Sequence, residues 1–321
     1  MDPLRIRLIA PSGYPHDRAA MARGMARLEA AGGAVEGKEA LDRTELRFAG
    51  SDAERAAELN ALARDEHPPH LAMAVRGGYG ATRLLEHVDW AALGARLRES
   101  GTLLMGHSDF TAIQLALHAL GGAPITFGGP MLGADFGRPE LHGFMWEHCW
   151  RTLGQPTSTA RWTTGEQQVD VEGPLWGGNL AVLCSLIGTP YFPRIDGGIL
   201  YVEDIGEPPF RIERLLYQLK LSGVLDRQQA LLLGHFTHCR PAHYDNGYDL
   251  PEAFAQLARE TRVPVVHGLP WGHEPDKLTL PFGAQARLRV AGGSAELSFS
   301  GYPHLPASVV RPDPGRLPEI T

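Results

Sequence analysis

The chain has 321 residues, 43% hydrophobic and 21% charged, a balance that suits a folded globular protein and excludes a largely disordered one. At this length two cores are expected rather than one. A net charge of −7, with 30 Lys and Arg scattered without a run, excludes the basic face that a nucleic-acid partner requires.

The first residues, Asp2-Pro-Leu-Arg-Ile-Arg-Leu-Ile-Ala-Pro11, are too short an apolar run and too interrupted by arginine for a signal-peptide core, and no stretch reads as a membrane span. Residues 5–10 read as a strand, and 17–31 as a helix stopped by Gly32-Gly33. The alternation then recurs. Residues 54–64 are helical, 71–75 a buried strand, 81–88 helical, 102–105 a strand, and 109–120 a helix leading to a strand at 124–127. Strands alternating with helices imply a parallel sheet whose ligands bind at the carboxyl ends of the strands.

Residues 151–172 turn polar and rich in Thr and Gln, which reads as an interdomain connection with an edge strand. Beyond it Gly177-Gly178-Asn179 opens a helix running to 187, a strand follows at 198–202, and a helix at 208–221 begins on prolines and ends at Gly223. Further strands are expected at 231–233, 263–266, 278–280, 286–290 and 295–299. The class expected is α/β. Residues 1–150 form a Rossmann or flavodoxin-like parallel-sheet domain, 151–172 a linker, 173–306 a smaller mixed α/β domain rich in strands, and 307–321 a mobile tail. Cys149, Cys184 and Cys239 are sparse and lack framework spacing, so reduced thiols and a cytoplasmic location are expected.

The segment Thr102-Leu-Leu-Met-Gly-His-Ser108-Asp109-Phe-Thr-Ala-Ile113 carries the most chemistry. A serine at a strand-to-helix turn can raise its hydroxyl above the sheet, beside N–H groups that favour developing negative charge. Capping by Ser108 or Asp109 is the plainer explanation of the same residues. Arg76-Gly-Gly-Tyr-Gly80 follows the strand at 71–75 directly, so Gly78 and Asp109 are candidates to converge their N–H groups as an oxyanion hole. A phosphate loop is the competing idea, but neither dinucleotide nor P-loop spacing is met.

A serine needs a base, and the base a partner that fixes its tautomer. His107 adjoins Ser108, but neighbours in an extended segment point oppositely. His273, in Leu269-Pro-Trp-Gly-His-Glu-Pro275, sits in a loop between expected strands, and Glu203 ends the strand at 198–202. Ser108, Glu203 and His273 follow the serine, acid, histidine order of one known hydrolase fold. His235, His238, Cys239 and His243 are zinc-ligand types in a short stretch, but their spacing matches no standard site.

Together these motifs resemble the LD-carboxypeptidase family of serine peptidases over nearly the whole chain. The resemblance rests on Ile9-Ala-Pro-Ser-Gly13, Val75-Arg-Gly-Gly-Tyr-Gly-Ala81, Gly106-His-Ser-Asp-Phe-Thr-Ala112, Leu175-Trp-Gly-Gly-Asn-Leu180, Ser185-Leu-Ile-Gly-Thr-Pro190, Val202-Glu-Asp-Ile-Gly-Glu-Pro208, Gly272-His273 and Leu280-Pro-Phe-Gly283. It implies Ser108 as nucleophile, Glu203 and His273 as its partners, Gly78 and Asp109 as oxyanion donors, and no cofactor or metal. It also implies a cytoplasmic homodimer that takes D-alanine from murein tetrapeptides during peptidoglycan recycling. Arg76 is the expected partner of the substrate's terminal carboxylate. Two rivals stand beside this reading. One is a same-fold immunity hydrolase of peptidyl-nucleotide conjugates, for which Trp176 or Trp271 would supply a platform under the base. The other is a non-catalytic small-molecule binding protein.

Overall fold

The computed structural model describes residues 2–320 and places the strands in two sheets. In the first, β1 (Leu4–Ile9), β2 (Gly33–Glu36), β3 (Leu71–Ala74), β4 (Leu103–Gly106) and β5 (Thr126–Gly128) are parallel in the order β2-β1-β3-β4-β5. This flavodoxin-like order reverses between β1 and β3, where the strand ends open a crevice. The crossovers carry α1 (Arg18–Ala30), α2 (Asp52–Arg64), α3 (Trp90–Ser100) and α4 (Thr111–Leu120). Alternation along the strands sorts the side chains. Leu4, Ile6 and Leu8 pack with Met21 and Leu28 of α1, whereas Ile9, Ala72 and Ala74 join Leu59, Leu93 and Ile113 in the core on the opposite face.

The chain then runs through α5 (Gly143–Gly154), β6 (Thr157–Thr163), β7 (Val169–Asn179), α6 (Leu180–Ser185), β8 (Ile199–Ile205), α7 (Pro209–Leu221), β9 (Ala230–Thr237), α8 (Leu250–Glu260) and β10 (Val265–His267). After β11 (Leu280–Phe282) come β12 (Gln285–Ala291) and β13 (Ser294–Ser300). The second sheet has seven strands in the order β10-β9-β8-β7-β12-β13-β6. Its β7 to β10 half is parallel and the rest antiparallel. The two halves bury differently for that reason. β8 is a nearly unbroken buried run, Ile-Leu-Tyr-Val-Glu-Asp, while β6, β12 and β13 alternate buried with exposed residues.

Several elements depart from the sequence expectations. Residues 81–88 form only a 3-10 turn at Ala81–Leu84, because Asp89 accepts the N–H of Ala92 and starts a fresh helix at Trp90. Residues 151–172, expected as an interdomain connection with an edge strand, hold more regular structure than that: the end of α5, all of β6, which is an edge strand, and the start of β7. The polar Thr and Arg there occupy the outward face of β6. The strand expected at 278–280 lies at 280–282 and joins the first sheet, antiparallel to β5. Its Leu280 and Phe282 are fully buried, and Pro281, which has no N–H to donate, is accommodated on an edge strand. The segment after residue 306, expected as a mobile tail, is docked. Val309 is buried and bridges Asp2, Trp146 donates its indole N–H to the Asp313 carbonyl at 2.9 Å, and Arg311 reaches the Gly154 carbonyl at 2.5 Å. No helix among the described residues is long and apolar enough to cross a membrane.

Candidate active site

Ser108 leaves the end of β4 with φ at 65°, a left-handed conformation rare for a residue with a side chain. A 3-10 turn over Ser108–Phe110 then leads into α4, so the hydroxyl stands at the strand-to-helix corner. Backbone strain of this kind persists only where its surroundings enforce it. Here β3 and β4 are hydrogen-bonded neighbours, which brings the loops after them together. Gly77 approaches so closely that a Cβ on it would lie 2.8 Å from Ser108 Cβ and 3.0 Å from Oγ. The Gly77 carbonyl accepts from the N–H of Gly13 at 3.1 Å. In a trans peptide the Gly78 N–H therefore points the other way, and Gly78, with φ at 101°, lines the cavity beside Ser108.

The Asp109 side chain braces this corner. Its Oδ2 accepts from the Ser12 hydroxyl at 2.6 Å and from the Ala81 N–H at 2.8 Å, tying together the segments that follow β1, β3 and β4. Burial pushes its carboxyl above the ordinary range, against the pull of those two donors. Buried Arg55 adds a second brace, donating to the carbonyls of Pro11 at 2.6 Å and Gly80 at 3.0 Å.

The other half of the site comes from the second sheet. Glu203, near the end of β8, is fully buried, and its Oε2 lies 2.6 Å from Nδ1 of His273. His273 Nε2 lies 3.1 Å from Ser108 Oγ. A carboxylate only accepts, so a proton on Nδ1 donated to Glu203 leaves Nε2 to accept from the serine hydroxyl. Ser108, Glu203 and His273 are thus brought together from residues 70 and 165 positions apart.

Several further residues support this relay, and of these Lys277 and Asp135 had no sequence signal. Asn179 caps α6 and donates its amide to Glu203 Oε1 at 3.1 Å and to Asp204 Oδ1 at 3.0 Å. Burial, and then the adjacent Glu203 charge, push the Asp204 carboxyl up to about 6. The loop bearing His273 is fastened across to the first sheet. Trp271 donates its indole N–H to the Gly128 carbonyl at 3.0 Å, and Lys277 pairs with Asp135 at 2.8 Å with both side chains buried. His107 is buried against Trp271 and His273 instead of facing the serine, as expected from alternation. Burial, with Lys277 and His273 nearby, holds its imidazole well below the usual histidine range.

A cavity of about 250 Å³ opens over Ser108, lined among others by His16, Asp17, Arg76, Gly78, Met131 and His273. Arg76 Nη1 donates to the Tyr14 carbonyl at 3.0 Å and lies 2.8 Å from His16 Nδ1. The expected aromatic platform is absent at both candidate positions. Trp176 is fully buried with its N–H on Gln228, and Trp271 is 1% exposed, so neither offers a face to a base. His235, His238, Cys239 and His243 gather into no three-ligand cluster among the described residues, and His235 instead lies 3.7 Å from Asp276.

Two family models cover most of this architecture. The LD-carboxypeptidase N-terminal domain matches residues 6–129, and the LD-carboxypeptidase C-terminal domain matches residues 172–288. The chain belongs to the LD-carboxypeptidase family and is a peptidase. It is 30% identical over 295 residues to a probable murein peptide carboxypeptidase of Bacillus subtilis, covering 90% of each chain. A muramoyltetrapeptide carboxypeptidase from Oxalobacter formigenes superimposes with a TM-score of 0.84 at 41% identity, covering 93% of this chain and 99% of that one. A microcin self-immunity protein of Escherichia coli is 28% identical over 278 residues, 77% of this chain and 78% of its own.

Proposed function

We propose that this peptidase is a serine-type L,D-carboxypeptidase that releases terminal D-alanine from murein tetrapeptides in peptidoglycan recycling. The observation that carries the reading is the relay Glu203, His273, Ser108, at 2.6 and 3.1 Å, ending on a hydroxyl beside a cavity that holds Arg76. The names of the relatives from Bacillus subtilis and Oxalobacter formigenes support the substrate class. The burial of Trp176 and Trp271 counts against the peptidyl-nucleotide alternative, since neither can stack on a base. A cytoplasmic homodimer accompanies the reading, as the family resemblance implies.

Ser108 Oγ attacks the carbonyl at the L-centre of the diamino acid while His273 Nε2 takes its proton. Glu203 accepts from Nδ1, fixing the tautomer and stabilising the imidazolium. The N–H groups of Gly78 and Asp109 receive the oxyanion, each contributing about two to three powers of ten in rate. The C–N bond then breaks as His273 returns the proton to the departing D-alanine amine. Water repeats the sequence on the acyl-enzyme and restores the serine. Arg76, whose Nη1 is held by Tyr14, presents Nη2 to the terminal carboxylate.

The test is D-alanine release from a murein tetrapeptide, read with a D-amino acid oxidase, by the wild type and Ser108→Ala. The wild type is expected to turn over and the variant to lose about a millionfold in kcat. Turnover surviving in Ser108→Ala overturns the assignment, and binding without release by the wild type turns the reading to a ligand trap.

A further inference from the structure

His107 is the residue beside the relay whose chemistry the hydrolytic mechanism leaves unused. Its side chain is fully buried, yet neither ring nitrogen has a hydrogen-bond partner among the described residues. Leaving such atoms unsatisfied opposes folding, so the arrangement calls for a reason. Its Nε2 lies 3.7 Å from Glu203 Oε1, and its ring centroid lies 4.5 Å from that of His273. One donor atom from each of His107, Glu203 and His273 lies within 4.8 Å of the other two, and no other such trio of His, Cys, Asp or Glu occurs among the described residues.

Two imidazoles and a carboxylate are a donor set for zinc, whose ligand atoms sit about 3.3–3.5 Å apart in a tetrahedral site. Glu203 Oε2 lies 2.6 Å from His273 Nδ1 and Oε1 lies 3.7 Å from His107 Nε2, so the two carboxylate oxygens each face one imidazole at a separation near that spacing. Charge also favours a cation here. Glu203 adjoins Asp204, and the nearby Lys277 ammonium is balanced by Asp135 at 2.8 Å. With no hydrogen-bond partner among the described residues, the His107 ring has no lone pair committed to another contact.

We propose that His107, Glu203 and His273 form an inhibitory site for a divalent transition-metal ion of the zinc class. The ion bonds to His107 Nε2, to the Glu203 carboxylate and to Nδ1 of His273, with water from the cavity in the fourth position. His273 stays neutral throughout. The proton that Nδ1 donated to Glu203 passes through solvent to Nε2, so no proton is gained or lost overall. Nε2 then faces Ser108 as a donor and can no longer take the serine proton. The inhibition rests on the serine-peptidase reading above, whereas the binding does not.

The test titrates the full chain with Zn²⁺ alone by calorimetry, and with Co²⁺ by visible absorption. One ion per chain is expected, with the d–d band of a four-coordinate nitrogen and oxygen site. Ser108→Ala should bind as the wild type does, which separates this result from the fate of the peptidase reading. His107→Phe should weaken Zn²⁺ binding by roughly tenfold or more, and should raise the Zn²⁺ needed for half-inhibition of D-alanine release by the same factor. His273→Ala, on a solvent-reaching loop, should remove the site and serves if His107→Phe fails to fold in a thermal melt. EDTA should restore activity to the inhibited wild type. Absence of stoichiometric binding overturns the proposal, as does unchanged affinity in either folded variant. So does binding lost in the double variant His238→Ala/His243→Ala, which assigns the ion to that stretch instead.

Discussion

Ser108 and His273 face each other across 3.1 Å, but they are held by different kinds of interaction. The serine is placed by backbone, through its own positive φ, the close approach of Gly77, and a single carboxylate, Asp109, that gathers neighbouring segments. The histidine is placed by side chains, namely buried Glu203, the Trp271 indole on Gly128 and the buried Lys277–Asp135 pair. The charges buried behind the serine, Asp109 and Arg55, are tied mostly to backbone and hydroxyl groups set back from the turn, so damage to the turn itself should appear mainly in rate. A half built from buried ions should lose stability when one partner is removed, because the remaining charge stays desolvated.

The largest effects remove the reacting groups, where the two halves should not differ. Ser108→Ala and His273→Ala should each lower kcat for D-alanine release by about a millionfold, and the double variant should be little worse, since the groups act as a unit. Additive losses would separate them. Glu203→Gln comes next, at about ten-thousandfold in kcat, because an amide that donates a proton to Nδ1 favours the wrong tautomer. Steady-state kinetics on the tetrapeptide measure all four variants.

The contrast sharpens with two changes that touch no reacting atom. Lys277→Met leaves Asp135 buried without its cation, and should lower unfolding free energy in urea by about 3–5 kcal/mol. Adding Asp135→Leu should recover much of that loss. Gly77→Ala should do the reverse, since its methyl must displace Ser108 Cβ from 2.8 Å. A shift of that kind costs about a hundredfold in kcat with a smaller change in stability. If Gly77→Ala unfolds the protein while Lys277→Met slows the reaction alone, the division between the halves is wrong.

The same division explains what the sequence made legible. Ser108, Gly78 and Asp109 lie in short runs where strand, turn and helix follow one another, so their roles could be proposed from local pattern. The α/β alternation was visible for the same reason, whereas the flavodoxin-like strand order emerges only from pairing. Glu203 and His273 could be picked out from chain order and family resemblance, but no local period links them to a serine 165 residues away from the histidine. Lys277 and Asp135 had no signal at all, because a lone lysine reads as surface until its partner is known, and Asn179 could be read as opening a helix but not as holding Glu203. β11 escaped correct placement since three apolar residues can join either sheet, and the burial of Leu280 and Phe282 in the first is a tertiary choice. The docked tail was misread because proline-rich composition reports little about a few anchoring contacts such as Val309 and Asp313.

The smallest effect tests the seam between the halves. His118, on α4, meets Phe282 of β11 edge to face with ring centroids 5.5 Å apart, where the carboxyl-terminal chain crosses into the first sheet. Burial alone holds its imidazole below the ordinary value of 6.5. At pH values well above 6.5 the folded and unfolded chains are both neutral at this position, so it imposes no penalty. As pH falls below 6.5 the unfolded chain takes up a proton that the folded chain still refuses, and stability is lost until the folded value is passed. His118→Phe keeps an aromatic ring and removes the titration. The melting temperature of the wild type relative to this variant should therefore decline from about pH 8 to about pH 5, by less in free energy than the Gly77→Ala effect on the barrier. Histidines common to both proteins cancel in that difference. A flat difference would show that the ring is hydrated in the folded state, and the seam would then be an open contact rather than a sealed one.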